Sequence, residues 1–271
     1  MPVLVRTWNV FHGNTKPPGR EAYLEQMIRL ASADRPDILC LQEVPPWSLP
    51  SLSGWAGMTA YGDVAARPML GPLPSTALVG RLVTSLNPGL FRSAFSGQAN
   101  AILLRPEIRP LGHRLLTLNS WGFRQAQARW LRLSPLTLLG WAKERRVCQA
   151  VRMRLADGRT AVVANMHATS YRPDERLADA EILRAAVFAD ALAEPGDVCV
   201  LAGDLNVTAS RSWTLTDLAG PEWGFSQAGP GIDQILVRGA EAARPRPWPP
   251  ERRRVDDRVL SDHTPVELRF A

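Results

Sequence analysis

Polar and apolar positions divide this chain into many short apolar runs and two long amphipathic ones. Runs rich in Val, Ile and Leu, bounded by Gly, Pro, Asn or Asp, occupy residues 3–9, 37–43, 99–104, 147–155, 160–167, 197–203, 232–237 and 264–270. Their length and branching predict strands. Two segments carry a helical period instead: residues 20–33, with Leu24, Met27, Ile28 and Ala31 on one face, and residues 174–193, with Leu177, Leu183, Val187 and Leu192. Asp174, after Pro173, is placed to cap the second helix. Pro36 ends the first helix and leads into DILCLQEV, while Pro195-Gly196 ends the second and leads into DVCVLAGD. A helix feeding a buried strand therefore occurs once in each half. The expected fold class is α/β: a sandwich of two mixed β-sheets packed face to face, with helices outside.

Three stretches depart from that pattern. Residues 44–98 are rich in Pro, Gly and Ser and weakly periodic, and residues 110–146 interleave Trp121, Trp130 and Trp141 with Arg114, Arg124, Arg129, Arg132, Lys143, Arg145 and Arg146. Both read as long excursions between strands, which in a compact domain are usually functional. Aromatics among arginines suit either a stacking surface for nucleic acid or an amphipathic helix over the sandwich edge, and the structural reading is preferred. The third stretch, ARPRPWPPERRR at 243–254, reads as a stiff, solvated surface loop.

Composition narrows the class. A chain of 271 residues that is 45% hydrophobic and 21% charged can bury a substantial core, which excludes disorder and a disulfide-stapled miniprotein. No apolar run approaches the roughly 20 residues of a membrane span, and MPVLVRTWNV turns polar too soon for a signal peptide, so a cytoplasmic location is expected. Cys40, Cys148 and Cys199 each lie in an apolar segment without zinc-like spacing and read as buried free thiols. The net charge of +6 favours polyanionic partners, but Lys16 and Lys143 are the only lysines among 32 basic residues. So arginine-rich a composition makes charge a weak argument.

Chemistry concentrates at strand ends, where side chains project from a rigid sheet. In order these are Asn9 (RTWNV), Glu43 (LCLQEV), Asn100 (GQANAILLR), His167 (VVANMHAT), Asp204 and Asn206 (LAGDLNV), Asp233 (GIDQILV) and Asp262-His263 (LSDHTPVELRF). The set offers carboxylate oxygens for a hard divalent cation, imidazoles for proton transfer or phosphate binding, and amides for orienting oxygens. Phosphoester hydrolysis at neutral pH requires those functions together.

In these motifs the sequence resembles the endonuclease/exonuclease/phosphatase superfamily, with WN, QE, an NA element, H, GDxN, ID and SDHxP in family order from Asn9 to His263. The resemblance implies one domain over residues 1–271, a four-layered α/β sandwich, and a metal-dependent phosphoesterase site on one edge. It implies Glu43 as principal ligand of Mg²⁺ or Mn²⁺, helped by Asn9 and Asp262; Asp204 as the group that orients and activates water; and Asn206 as a residue fixing the water or phosphate. It further implies His263, oriented by Asp233, as general base or electrostatic stabiliser, His167 as donor to a phosphate or leaving oxygen, and Asn100 as a supporting or phosphate-contacting amide. His12 is expected in a loop or cap role and His113 at the surface. Arg145-Arg146 is expected to be structural, with Tyr171-Arg172 near the substrate groove.

The chain lacks the tryptophan before GD and the Cys-Asp-Arg element of inositol 5-phosphatases, and VTASRS after GDLN lacks the continuation of abasic-site endonucleases. The expected activity is therefore phosphodiester hydrolysis of nucleic acid, DNA favoured, as endonuclease or exonuclease. The alternative is a phosphomonoester, phospholipid or inositol-phosphate substrate. No obligate protein partner is called for, and a monomer is expected.

Overall fold

In the computed structural model, which describes residues 2–17, 23–70, 73–86 and 97–271, two β-sheets lie face to face. The strands are β1 (Val3–Asn9), β2 (Ile38–Val44), β3 (Thr59–Ala66), β4 (Gln98–Leu104), β5 (Arg109–Thr117), β6 (Val147–Arg154), β7 (Thr160–His167), β8 (Val198–Asp204), β9 (Asp233–Arg238), β10 (Arg246–Pro247) and β11 (Val266–Phe270). One sheet runs β10-β11-β1-β2-β4-β3 and the other β9-β8-β7-β6-β5. The pairs β1-β2 and β7-β8 are parallel, and their neighbours antiparallel.

Alternation along each strand builds three apolar layers. Val5, Ile38, Cys40, Ile102 and Leu104 meet Val151, Met153, Val163, Val200 and Ile235 between the sheets. The opposite face of the first sheet, including Trp8, Leu39 and Leu41, packs against Met27 and Ile28 of α1 (Leu24–Ser32). The outer face of the second, with Val162, Ala164, Cys199 and Leu201, packs on a long helix, Arg176–Asp190. Because both faces of the central strands are covered, their apolar runs are continuous. All three cysteines are buried and free. No helix among the described residues is long and apolar enough to cross a membrane.

Several expectations need correction. The region 44–98 contains the edge strand β3 and two helices, α2 (Leu52–Ala56) and α3 (Ala77–Leu86), while 110–146 contains most of β5 and a helical hairpin, α4 (Trp121–Trp130) and α5 (Pro135–Ala142). Residues 20–22 of the first expected helix, and 71–72 and 87–96 of the first excursion, lie outside the described residues. The long helix, α6, buries Leu177, Ala178, Ile182, Ala185, Ala186 and Ala189, leaving Leu183 and Val187 exposed. Small side chains let it approach the sheet closely, so alanine rather than leucine marks its inner face. Asp174 accepts from the Arg176 amide at 3.2 Å, although Glu175 occupies the cap position.

The basic stretch 243–254 is also less solvated than expected. Arg252 stacks 3.6 Å from the Trp248 ring centre, and buried Arg253 donates to the carbonyls of Leu260 and Ser261, both at 2.9 Å. Arg253 thereby fixes the turn that carries His263.

Candidate active site

Topology brings the expected residues to one edge. Strands β1 and β2 run parallel, as do β7 and β8, so Asn9, Glu43, His167 and Asp204 all stand at C-terminal strand ends. Antiparallel β9 begins there with Asp233, and the turn before antiparallel β11 delivers His263. A register shift between Leu41 and Val44, with Glu43 at φ 53°, re-aims the Glu43 side chain from the strand direction. Gly203 has φ +141°, and a Cβ there would fall 1.9 Å from the Met166 carbonyl oxygen. Only glycine lets β8 approach β7 closely enough to set Asp204 against His167.

The groups form one connected cluster. Asn9 Nδ2 donates to Glu43 Oε1 at 3.2 Å and to Asp204 Oδ2 at 3.0 Å, while its Oδ1 accepts from the Phe11 amide at 3.0 Å. Asn9 in this arrangement holds two carboxylates together and keeps its own oxygen occupied. His167 Nε2 lies 3.4 Å and His263 Nε2 3.6 Å from the same Asp204 Oδ2, and Asp204 Oδ1 accepts from the Asn206 amide at 3.0 Å. His263 Nδ1 donates to Asp233 at 2.9 Å. Ser261 Oγ donates to the Asn9 carbonyl at 2.7 Å and accepts from the His263 amide at 3.0 Å, tying the SDH turn to β1.

Burial and charge set the protonation states. Burial and the nearby Asp233 charge push Asp204 up to about 6, against the His263 charge and the Asn9 and Asn206 hydrogen bonds. For His263, burial opposes the charged ring. The Asp233 hydrogen bond and the Asp204, Asp233 and Asp262 charges outweigh it and push the ring up to about 10. His167 moves the other way: burial, then the charges of Arg146, His263 and His12, hold it well below the ordinary histidine value. A neutral His167 can accept from Arg146 Nη1, 3.0 Å from its Nδ1.

A cavity of about 360 Å³ opens on this cluster, with Glu43, His167, Asp204, Asn206 and His263 in its walls. Asn206 donates to the Ala168 carbonyl at 2.9 Å. Asn100 donates to the Val147 carbonyl at 3.2 Å, behind the cavity wall. Asp262 is exposed. His113 is half-buried and bonded to Asp63 at 2.6 Å, and Tyr171 packs beneath Gly140 of α5.

Among the wall residues not expected there, His12 and Arg146 bear directly on the cluster. His12, read as a loop or cap residue, is buried with Nε2 3.4 Å from Glu43 Oε2. Arg146, read as structural, is buried against His167, and its Nη2 donates to Glu144 Oε2 at 2.7 Å. The available signals were the closeness of His12 to Asn9 and a basic pair immediately before a buried strand. A supporting amide was also missed: Asn165 accepts from Gln42 Nε2 at 2.7 Å and donates to the Leu41 and Ala101 carbonyls, bridging the sheets behind the site.

The donor set suits a divalent cation. Asp204, Asp233 and His263 present ligand atoms within 4.8 Å of one another, Glu43 stands beside Asn9, and among the described residues none of the three carboxylates pairs with arginine or lysine. Apart from the His263 ring, no fixed cation neutralises these clustered carboxylate oxygens among the described residues, which leaves negative charge for a hard metal ion.

A two-sheet sandwich with carboxylates, amides and a carboxylate-bound imidazolium at one edge defines a class of hydrolytic phosphoesterase. The chain belongs to the Endonuclease/Exonuclease/phosphatase family, whose model matches residues 7–263. Members are phosphoester hydrolases and generally use divalent metals. Similar solved structures include an endonuclease/exonuclease/phosphatase from Bacteroides vulgatus (TM-score 0.69, 14% identity, covering 100% of this chain and 99% of that one). They also include a mannosyl-6-phosphatase from Bacteroides thetaiotaomicron (0.65, 14%, 99% of each chain) and a humanized D. rerio TDP2 (0.62, 13%, 100% and 99%). At these identities the likeness shows the fold. No curated protein matches the chain.

Proposed function

We propose that the protein is a divalent-metal-dependent phosphodiesterase that attacks phosphorus with an activated water. The observation that carries this reading is the convergence of His167 Nε2, His263 Nε2 and Asn9 Nδ2 on Asp204 Oδ2, beside Glu43 and in the wall of one cavity. Glu43 would hold Mg²⁺ or Mn²⁺, with Asp262 as a further carboxylate, and Asn9 would keep Glu43 and Asp204 in register. When bound, the ion neutralises charge on the phosphoryl and leaving oxygens.

The chain's own groups divide the remaining work. Asp204, raised towards neutrality, accepts the proton of the attacking water, and Asn206 positions that water or the phosphate. His263, held cationic by Asp233, faces the charge that develops on the phosphoryl oxygens. Neutral His167 donates an N–H to a phosphate oxygen, and Arg146 adds a buried positive charge beside it.

Nucleic acid, with DNA favoured, is the substrate that the net charge of +6 and the cavity-wall cations Lys143 and Arg146 support. A second reading, a phospholipid phosphodiester, has a specific observation behind it: the helix contributing Gly140 and Trp141 to the cavity wall is otherwise an exposed apolar element.

The test compares plasmid nicking with hydrolysis of bis-p-nitrophenyl phosphate, each with Mg²⁺ or Mn²⁺, with EDTA, and with Asp204→Asn. Metal-dependent turnover that falls by about 10²-fold or more in the variant is expected. Near-native turnover in Asp204→Asn would remove that residue from its role.

A further inference from the structure

We propose that the hairpin α4–α5 is an interfacial docking element that seats the catalytic cavity on an anionic phospholipid surface. The inference rests on the phosphodiesterase reading and takes the second of its two substrates, a phosphodiester carried in a lipid headgroup layer, in place of nucleic acid.

The hairpin inverts the usual burial pattern. Helix α4 buries no residue, and α5, with the sequence PLTLLGWA, buries only Trp141. Trp121 is 72% exposed, Trp130 82%, Leu136 76% and Leu139 67%. A helix so apolar belongs in a core or against a nonaqueous phase. Its charge points to the same phase, since residues 121–143 include Arg124, Arg129, Arg132 and Lys143 and no acidic residue. Tryptophan at the headgroup level, leucine in the acyl boundary and arginine on lipid phosphates are the pattern of an interfacial helix. Bare leucines argue against nucleic acid as the occupant, because base stacking and phosphate contacts make no use of aliphatic side chains.

The hairpin is also joined to the chemistry. Gly140, Trp141 and Lys143 line the cavity that opens on Asp204 and His263, so α5 is continuous with the cavity wall. Buried Glu181 anchors this wall: it accepts from Trp141 Nε1 at 2.6 Å and from the Thr169 amide and hydroxyl at 2.7 Å, two residues beyond His167. Docking of the hairpin would therefore present headgroup phosphates to a wall already fixed relative to the site.

Flotation of the full chain with phosphatidylcholine vesicles, and with vesicles containing roughly one-third phosphatidylglycerol, tests the proposal. The wild type should float with the anionic vesicles. Trp121→Ser/Trp130→Ser/Leu139→Ser should lose about tenfold or more in binding, while Arg129→Gln/Arg132→Gln should lose the preference for anionic lipid. Both variants should keep metal-dependent hydrolysis of soluble bis-p-nitrophenyl phosphate, since none of these side chains lines the cavity. A wild type that stays with neither vesicle, or a triple variant that floats unchanged, overturns the proposal. Loss of single-stranded DNA binding in the triple variant with flotation intact overturns it as well, making the hairpin a nucleic-acid surface. Flotation sensitive to the substitutions, but no metal-dependent hydrolysis of the soluble ester by the wild type, supports the docking surface and overturns the phosphodiesterase reading.

Discussion

The strand ends and the helical hairpin are opposite solutions to the same problem of placing side chains around one cavity. At the strand ends polar groups are buried and each is held by others: Asp204 alone is contacted by Asn9, His167, His263 and the Asn206 amide. In the hairpin, apolar groups stand in water and almost nothing is buried. A buried polar cluster is costly unless its members fit one another, so it specifies a single geometry. An exposed apolar element gains nothing from water and is retained for what it touches. Chemistry and contact are thus assigned to different structural materials, and the two meet at Trp141.

That junction offers the strongest way to break the contrast. Trp141 is fully buried, its ring edge-on to Phe123 at 5.9 Å and its indole N–H on Glu181. Trp141→Ala would remove the only buried side chain of α5 and leave Glu181 short of a donor. A loss of about 3–5 kcal/mol is expected by denaturant unfolding. A loss below about 1 kcal/mol would mean that α5 is not anchored as described.

How much of this was legible in the sequence follows from the same contrast. Central strands covered on both faces left unbroken apolar runs, so DILCLQEV and DVCVLAGD could be placed almost to the residue. Two edge strands could not: β3, TAYGDVAA, and β5, RPLGHRLLT, carry exposed polar and small residues that read as loop, whereas edge strand β9, DQILVR, is buried and kept its apolar run. Asp204, Asp233 and His263 stood out because they lie in tight motifs at the ends of such runs. His12 and Arg146 did not, because long-range folding alone brings them to Glu43 and His167. For α4–α5, interleaved Trp and Arg showed an unusual surface, but the preferred reading, an amphipathic helix over the sandwich edge, missed that α4 buries no residue and α5 only Trp141.

The strand-end cluster can be sharpened by its pH dependence. Asp204 must be ionised to take a proton from water, and its ordinary carboxylate value is raised to about 6, so activity should fall as pH drops below about 6. His263 must remain protonated to face developing charge, and its value is raised to about 10, so activity should fall again above about 10. Between the two lies a plateau, with limbs changing roughly tenfold per pH unit. A kcat/KM profile on a soluble phosphodiester reads both limbs directly. A rate already falling between about 7 and 8 would contradict the assignment of a cationic His263.

The smallest effect is expected where the hairpin is barest. Trp130 ends α4 at 82% exposure, so folding removes little of its surface from water. Trp130→Ser should therefore change unfolding free energy by no more than about 0.5 kcal/mol, although the same kind of residue at Trp141 in the same hairpin is worth several times that. Differential scanning of the two variants side by side gives the comparison without reference to any ligand. Should Trp130→Ser destabilise as much as Trp141→Ala, the exposed ring would be packed within the folded chain in solution. The contrast between buried chemistry and exposed contact surface would then fail at its simplest point.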